Sequence, residues 1–404
     1  MATAVVAGAT GILGKEIVKE LSQDSQRWEK IYALSRSKAD RYPAHVAHAH
    51  LDLSISAKDM ANELEHINPE YIFFAAYLAD DDPEEATRIN GEMLENFLES
   101  FVVNRKQHKL KRIVLVCGLK HYGVHLGNPK QPMEETDPWL PEPPTPSNFY
   151  YRQQRSLQRF CGQHDIEWNV TYSNEVLGYT NGNFMNLAST IALYAAVHAE
   201  LGDELPFPGP EIGYTAFDCF TSSKLHAQFC NWVVHEPQAK NQAFNTVNGD
   251  IESWQNLWPK FARYFGLRVP SDQFSRPALD PSDTPMGDQA PITFVAANIG
   301  LEGSRIVPSK LRQRIDLKRW SQRSEVQNAW KALTARFGLD EDALDKATWD
   351  FAAYTLGRDF GLVANMNKAR ALGWVGYKDS WENFQEVFAE LAAEKVIPPL
   401  EGET

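Results

Sequence analysis

The chain has 404 residues, 43% of them hydrophobic and 23% charged, with a formal net charge of −13. That is room for a large core and roughly two domains of ordinary globular composition. The acidic balance argues against a general nucleic-acid or anionic-membrane surface, and no run of about 18 apolar residues predicts a transmembrane helix.

Residues 4–7, Ala-Val-Val-Ala, form a short apolar run that reads as a strand buried on both faces. It leads into Gly8-Ala9-Thr10-Gly11-Ile12-Leu13-Gly14, and then into residues 15–21, where Ile17, Val18 and Leu21 share one helical face. Strand, glycine turn and helix together are the context of a dinucleotide-binding fingerprint. Gly8 allows a tight turn, Gly11 lets the backbone approach a diphosphate, and Gly14 lets the helix pack closely. The helix start, with Thr10, Ile12 and Leu13, offers free N–H groups to the phosphates. The G-x-x-G-x-x-G spacing is the variant used by short-chain dehydrogenases of the extended type. Because the N-terminus goes directly into this strand, without a basic or long apolar leader, a cytoplasmic protein is expected.

Residues 29–34 predict a second strand, ending in Ser35-Arg36-Ser37-Lys38. A NAD-binding unit places an acid here for the ribose 2′-hydroxyl. This chain has an arginine between two serines instead, which suits a 2′-phosphate and points to NADP. A weak third strand over residues 46–51 ends at Asp52-Leu53, where an acid can meet the adenine amine. His45, His48 and His50 alternate along it and are expected at the surface, without partners and without a metal. Residues 57–66 predict a helix and residues 71–77 a buried fourth strand. Its small Ala75 and Ala76 would let a cofactor lie against the chain, and Tyr77 follows them. An acidic segment then opens an amphipathic helix through Ile89, Met93, Phe97 and Phe101.

The fifth strand, residues 110–118, carries Leu119-Lys120-His121-Tyr122-Gly123 off its C-terminal end, where ligands sit in doubly wound sheets. A proline-rich loop over residues 129–146 precedes Ser147-Asn148-Phe149-Tyr150-Tyr151, a helix over residues 152–163 and a sixth strand over residues 167–172. The βα alternation stops near Gly178. A helix over residues 184–201, beginning at Phe184, is expected to line a pocket. Residues 217–235 read as helix and residues 243–247 as a further strand. Residues 269–291 form a polar, proline-rich loop that could act as a lid, and residues 330–337, 349–360 and 381–394 are amphipathic helices. The expected organisation is a Rossmann-type doubly wound α/β domain over residues 1–180, a pocket helix and crossing over 181–215, a return to the sheet over 216–248, and a smaller, mostly helical substrate-binding region over 249–404. Four scattered cysteines, Cys117, Cys161, Cys219 and Cys230, are expected to be reduced and mostly buried.

A short-chain dehydrogenase normally carries Y-x-x-x-K, the tyrosine acting at the substrate carbonyl and the lysine one helical turn on holding the ribose. Here Gln154 stands four residues after Tyr150 and Arg155 four after Tyr151, so the lysine is missing in both registers. Lys120, just past the fifth strand, is the displaced candidate. An unperturbed tyrosine titrates near about 10, and an adjacent ammonium would favour its phenolate.

Cys117-Gly118-Leu119-Lys120-His121-Tyr122 followed by Asn148-Phe149-Tyr150-Tyr151 resembles the progesterone 5β-reductase/iridoid synthase-like (PRISE) family, with its G-x-K-H-Y and N-F-Y-Y segments. Phe244-Asn245-Thr246-Val247-Asn248-Gly249-Asp250 and Asn365-Met366-Asn367-Lys368 extend the likeness over nearly the whole chain. The resemblance implies an NADPH-dependent oxidoreductase that reduces C=C bonds conjugated to a carbonyl, with Tyr150 and Lys120 catalytic. Gly118 and Val176 would join the cofactor site, and Tyr77, Tyr122, Phe149 and Phe184 the substrate site, for a mainly apolar small molecule. Where the family has R-P-G-N-I-F-G after the sixth strand, this chain has Tyr172-Ser173-Asn174-Glu175-Val176-Leu177-Gly178, which puts an acid near the nicotinamide; Tyr77 replaces a tryptophan. Two alternatives stand beside this reading. One is an NADP-dependent carbonyl reductase or dehydrogenase of the extended class, and the other a non-catalytic NmrA-like NADP sensor. A homodimer stays open.

Overall fold

In a computed structural model that describes residues 2–36, 42–180, 182 and 185–399, the chain builds a seven-stranded sheet whose neighbours all pair in parallel. The strands are β1 (Ala2–Ala7), β2 (Trp28–Ser35), β3 (Val46–His50), β4 (Tyr71–Phe74), β5 (Arg112–Gly118), β6 (Glu167–Ser173) and an edge strand, Gln242–Asn245. Their spatial order is edge strand, β6, β5, β4, β1, β2, β3. This is the doubly wound Rossmann arrangement, and the order reverses between β1 and β4, where such sheets open a crevice at their carboxyl ends. β1 and β4 carry near-continuous apolar runs because both of their faces are covered.

Helix α1 (Ile12–Gln23) buries Ile12, Leu13, Ile17, Val18 and Leu21. Helix α2 spans Ala57–Glu63. Helix α3 (Pro83–Val103) starts at Asp82, whose carboxylate accepts from the Glu84 N–H at 2.9 Å. Two apolar clusters form the interior. One surrounds the sheet. The other joins α5 (Leu187–Leu201) to the helices Trp254–Tyr264, Ser324–Phe337, Trp349–Gly357 and Ser380–Ala393. Residues 360–374 return from the C-terminal part to pack in the sheet's cluster, where Lys368 Nζ donates to the Ala243 carbonyl at 2.8 Å.

Several expectations are corrected. The fourth strand stops at Phe74, and residues 75–77 run on as irregular chain over the sheet's carboxyl edge. Helix α4 spans Phe149–His164 and begins three residues earlier than expected, because Asn148 caps it. Within residues 217–235, the segments Phe217–Asp218 and Thr221–Ser222 are short strands, and helix begins only at Ser223, with Ser222 as its cap. Of the segment expected to line a pocket, Met185 does line the cavity, whereas helix α5 is buried from Leu187 to His198 and is core rather than pocket wall. The 269–291 loop contains Ser282–Pro285, paired antiparallel with Lys310–Gln313, and none of its residues lines the main cavity. His48 and His50 are not partnerless: His48 Nε2 bonds Ser35 Oγ, and His50 Nδ1 the Arg36 carbonyl, each at 3.0 Å. All four cysteines are buried and unpaired. No helix among the described residues is long and apolar enough to cross a membrane.

Candidate active site

A cavity of about 850 Å³ runs along the carboxyl edge of the sheet. At one end it is lined by Ser35 at the end of β2, Arg36 beyond it, and Asp52 and Leu53 after β3. The Asp52 carboxylate accepts from the Ser54 N–H at 2.9 Å and from its hydroxyl at 2.8 Å. These bonds, aided by Arg36, hold its pKa below the ordinary aspartate value. Ser37 and Phe184 lie outside the described residues.

In the middle, Gly8, Thr10, Gly11, Ile12 and Leu13 form the wall. Gly8 has φ +80, and a Cβ there would stand 2.8 Å from the Ala75 carbonyl and the Ala76 nitrogen. A side chain at Gly14 would collide with the Gly8 carbonyl, so Gly14 shapes the turn from behind rather than facing the cavity. Gly11 is the N-cap of α1 and brings no side-chain cap, so the first N–H groups of the helix stay open to a ligand. A glycine cradle and an uncapped helix start fit a dinucleotide diphosphate. Ala75 and Ala76 complete this wall.

The far end is lined by Gly118 at the end of β5 and Lys120 beyond it, by Ser173 at the end of β6 and residues 174–176 beyond it, and by Phe149 and Tyr150 from α4. Asn148 organises it. Its Oδ1 accepts from the Tyr150 N–H at 3.0 Å, and its Nδ2 donates to the Lys120 carbonyl at 2.8 Å. The two tyrosines, one residue apart on a helix, diverge. Tyr150 faces the cavity, with its hydroxyl 3.3 Å from where a Gly118 Cβ would stand. Tyr151 is buried, accepts from the Leu140 N–H at 3.0 Å and donates to the His121 carbonyl at 2.7 Å. Neither Lys120 Nζ nor Tyr150 Oη hydrogen-bonds to another described residue.

The electrostatics differ from the expectation. Burial pushes the Tyr150 phenol well above 10, and Cys117 and Tyr77 add to the rise. Burial likewise lowers the Lys120 ammonium below 10.5. Burial therefore disfavours the phenolate and the ammonium alike.

Gln154 stands where the usual lysine would be, but it points away from the cavity. Its amide donates to the Tyr150 carbonyl at 3.1 Å and meets His121 Nδ1 at 3.2 Å, and its Oε1 accepts from the Tyr172 hydroxyl at 2.6 Å. Tyr122 is also outside the cavity: its 3₁₀ turn directs the ring against His121 and Tyr172, and its hydroxyl donates to Asn245 Oδ1 at 2.8 Å. Arg152 and Arg155 pair with Glu95 and Glu142 rather than with a ligand. Tyr77 and Phe149 stack at 5.0 Å on the cavity wall.

Sequence reasoning missed Phe351 and Tyr354. They reach the cavity from helix Trp349–Gly357, far along the chain. Three-residue helical spacing put them on one face, but nothing in the sequence indicated which face returns to the sheet. Among the described residues no cluster of His, Cys, Asp and Glu is placed to hold a metal ion.

A parallel sheet with a glycine turn at its switch point and a tyrosine-bearing helix beside it defines an oxidoreductase of the short-chain dehydrogenase type. Within that class the chain belongs to the PRISE-like Rossmann-fold domain family, which matches residues 4–284. It is 38% identical to an uncharacterized protein of Schizosaccharomyces pombe over 98% of both chains. It is 25% identical to the 3-oxo-Delta(4,5)-steroid 5-beta-reductase of Arabidopsis thaliana, over 98% of this chain and 93% of that one. The fold is similar to that of an epimerase from Methanothermobacter thermautotrophicus, with a TM-score of 0.61 at 13% identity over 97% of this chain and 92% of that one.

Proposed function

We propose that the protein is an NADPH-dependent reductase of C=C bonds conjugated to a carbonyl, acting on a mainly apolar small molecule. The observation that carries this reading is the pair Lys120 and Tyr150. Both line the cavity that holds the glycine turn, both lack a hydrogen-bond partner among the described residues, and both stand at the family's motif positions. The name of the Arabidopsis relative, a reductase of a 3-oxo-Δ4,5 steroid, describes such a conjugated system.

The cofactor, when bound, supplies the hydride; the protein supplies orientation and charge. Gly8 to Leu13 would hold the diphosphate, Arg36 with Ser35 and Ser37 the 2′-phosphate, and Asp52 the adenine. Tyr150, a phenol kept neutral by burial, donates a hydrogen bond to the substrate oxygen. That bond strengthens as negative charge grows there, so it favours the enolate-like transition state over the neutral enone. Lys120 adds positive charge to the same corner. Tyr77, Phe149, Phe351 and Tyr354 exclude water around the acceptor carbon.

The test is turnover of a simple cyclic enone, such as 2-cyclohexen-1-one, followed by loss of NADPH absorbance with product identification. The saturated ketone is expected. An allylic alcohol would favour carbonyl reduction instead.

A further inference from the structure

The far end of the cavity carries an acidic cluster that the reading above leaves unused. Glu175 follows β6 at φ +37, a backbone conformation that side-chain-bearing residues rarely adopt. Its Oε1 lies 2.5 Å from Arg358 Nη1, and Arg358 Nη2 lies 2.7 Å from Asp218 Oδ2. Glu175 is 8% exposed, Asp218 4% and Arg358 1%. Of the three, only Glu175 lines the cavity, and its buried Oε2 has no hydrogen-bond partner among the described residues. Two carboxylates thus share one guanidinium, which leaves one negative charge in excess when both are ionised.

The position of this charge follows from the order of the site. Ser35, Arg36 and Asp52 would take the adenosine end and the glycine turn the diphosphate, so the nicotinamide would fall at the carboxyl ends of β5 and β6, where Glu175 and Tyr150 line one cavity. The nicotinamide ring is neutral when reduced and cationic once it has given up hydride. A buried anion beside it acts on the two forms unequally.

We propose that Glu175, anchored by Arg358 and backed by Asp218, is an electrostatic selector for the oxidised nicotinamide: it tightens NADP+ binding relative to NADPH and stabilises the positive charge the ring acquires during hydride transfer. Tyr150 and Lys120 face the opposite charge, on the substrate oxygen. The proposal rests on the preceding section only in taking the ligand to be a nicotinamide dinucleotide. Protonation of the cluster would cancel its excess charge. Burial raises both carboxyls, and Arg358 opposes that rise. The other titratable groups against the cluster are Tyr354 and Cys219, whose own ionisation burial pushes up.

The test is the pair of dissociation constants for NADP+ and NADPH, measured by calorimetry without substrate. Measured at about pH 9, where the raised Glu175 carboxyl has lost its proton, Glu175→Gln should raise the ratio Kd(NADP+)/Kd(NADPH) about tenfold, and Glu175→Asp, which keeps the charge, should stay near the wild-type ratio. An unchanged ratio in folded Glu175→Gln protein would overturn the proposal. The wild-type protein gives an independent arm: the ratio should fall as pH rises from about 6 to about 9, as the burial-raised carboxyls of Glu175 and Asp218 lose their protons. A flat ratio there would overturn it even if the variant does not fold. Wild-type protein that binds neither form would overturn the cofactor reading itself, whereas binding of both forms with an unmoved ratio would overturn only the role of Glu175.

Discussion

The Asn148 carboxamide donates to the Lys120 carbonyl at 2.8 Å, while its oxygen caps the helix that carries Tyr150. One buried side chain thus fixes the spacing between the turn after β5 and the first turn of α4.

Asn148→Ala removes both bonds, and loss of the cap alone should cost about 1 kcal/mol of stability. Asn148→Ser keeps a capping oxygen but is too short to hold the Lys120 carbonyl. Thermal melting should therefore show the serine variant near wild-type stability, while its turnover falls with the alanine variant's. Equal turnover in wild type and Asn148→Ser would show that the link to Lys120 is dispensable.

Tyr150→Phe and Lys120→Ala should each leave NADPH affinity within about threefold of wild type and lower enone turnover about a hundredfold, the scale for losing one transition-state hydrogen-bond donor. Tyr151→Phe should behave differently. Its hydroxyl bridges Leu140 and His121, so its loss should lower the melting temperature more than the turnover of the folded fraction.

The pH dependence follows from two burial shifts of opposite sign. Tyr150 is pushed well above 10 and stays a phenol, whereas Lys120 is pushed below 10.5 and loses its proton first. Turnover should fall on an alkaline limb that belongs to Lys120, and Lys120→Arg should move that limb to higher pH. For stability, the unfolded chain binds the Lys120 proton more tightly than the folded protein does. Folding should therefore gain as pH rises through the window between the lowered and the ordinary lysine value. Lys120→Met, which removes the buried cation, should melt higher than wild type at neutral pH while losing activity. A lower melting temperature would show that the ammonium is satisfied in the fold.

The glycine turn, Arg36, Lys120 and Tyr150 were legible because each depends on local chain chemistry: a strand, a turn and the start of a helix. The helix carrying Tyr150 begins three residues before residue 152, because the Asn148 side chain caps it. What stayed hidden depends on contacts distant in sequence. The ion pairs from Arg358 to Glu175 and Asp218 span more than a hundred residues, and the wall formed by Phe351 and Tyr354 depends on how a C-terminal helix folds back. Helix α5 misled because an all-apolar sequence marks burial without saying whether a cavity or more core lies against it.

Arg36 is exposed at the end of the cavity that Asp52 lines, and the described residues at the tip of β2 include no acid. Arg36→Ala should raise the KM for NADPH about tenfold or more, the scale of a lost charge-assisted hydrogen bond, with little change for NADH. Parallel changes for both cofactors would refute a 2′-phosphate role.

Two glycine-to-alanine substitutions separate turn geometry from helix propensity. At Gly14 the new methyl would meet the Gly8 carbonyl and Ala9, backbone atoms that cannot move without opening the turn. Gly14→Ala should therefore destabilise by about 1–3 kcal/mol and weaken dinucleotide binding at the same time. At Gly162, in the exposed last part of α4, no described atom beyond its chain neighbours and its own helix backbone stands within 4 Å of the added methyl. Gly162→Ala should stabilise by about 0.5–1 kcal/mol and leave binding unchanged. Melting temperature and cofactor titration on the two variants check both expectations. If Gly14→Ala bound the dinucleotide as wild type does, the close approach of α1 to the Gly8 turn would have no part in shaping the site.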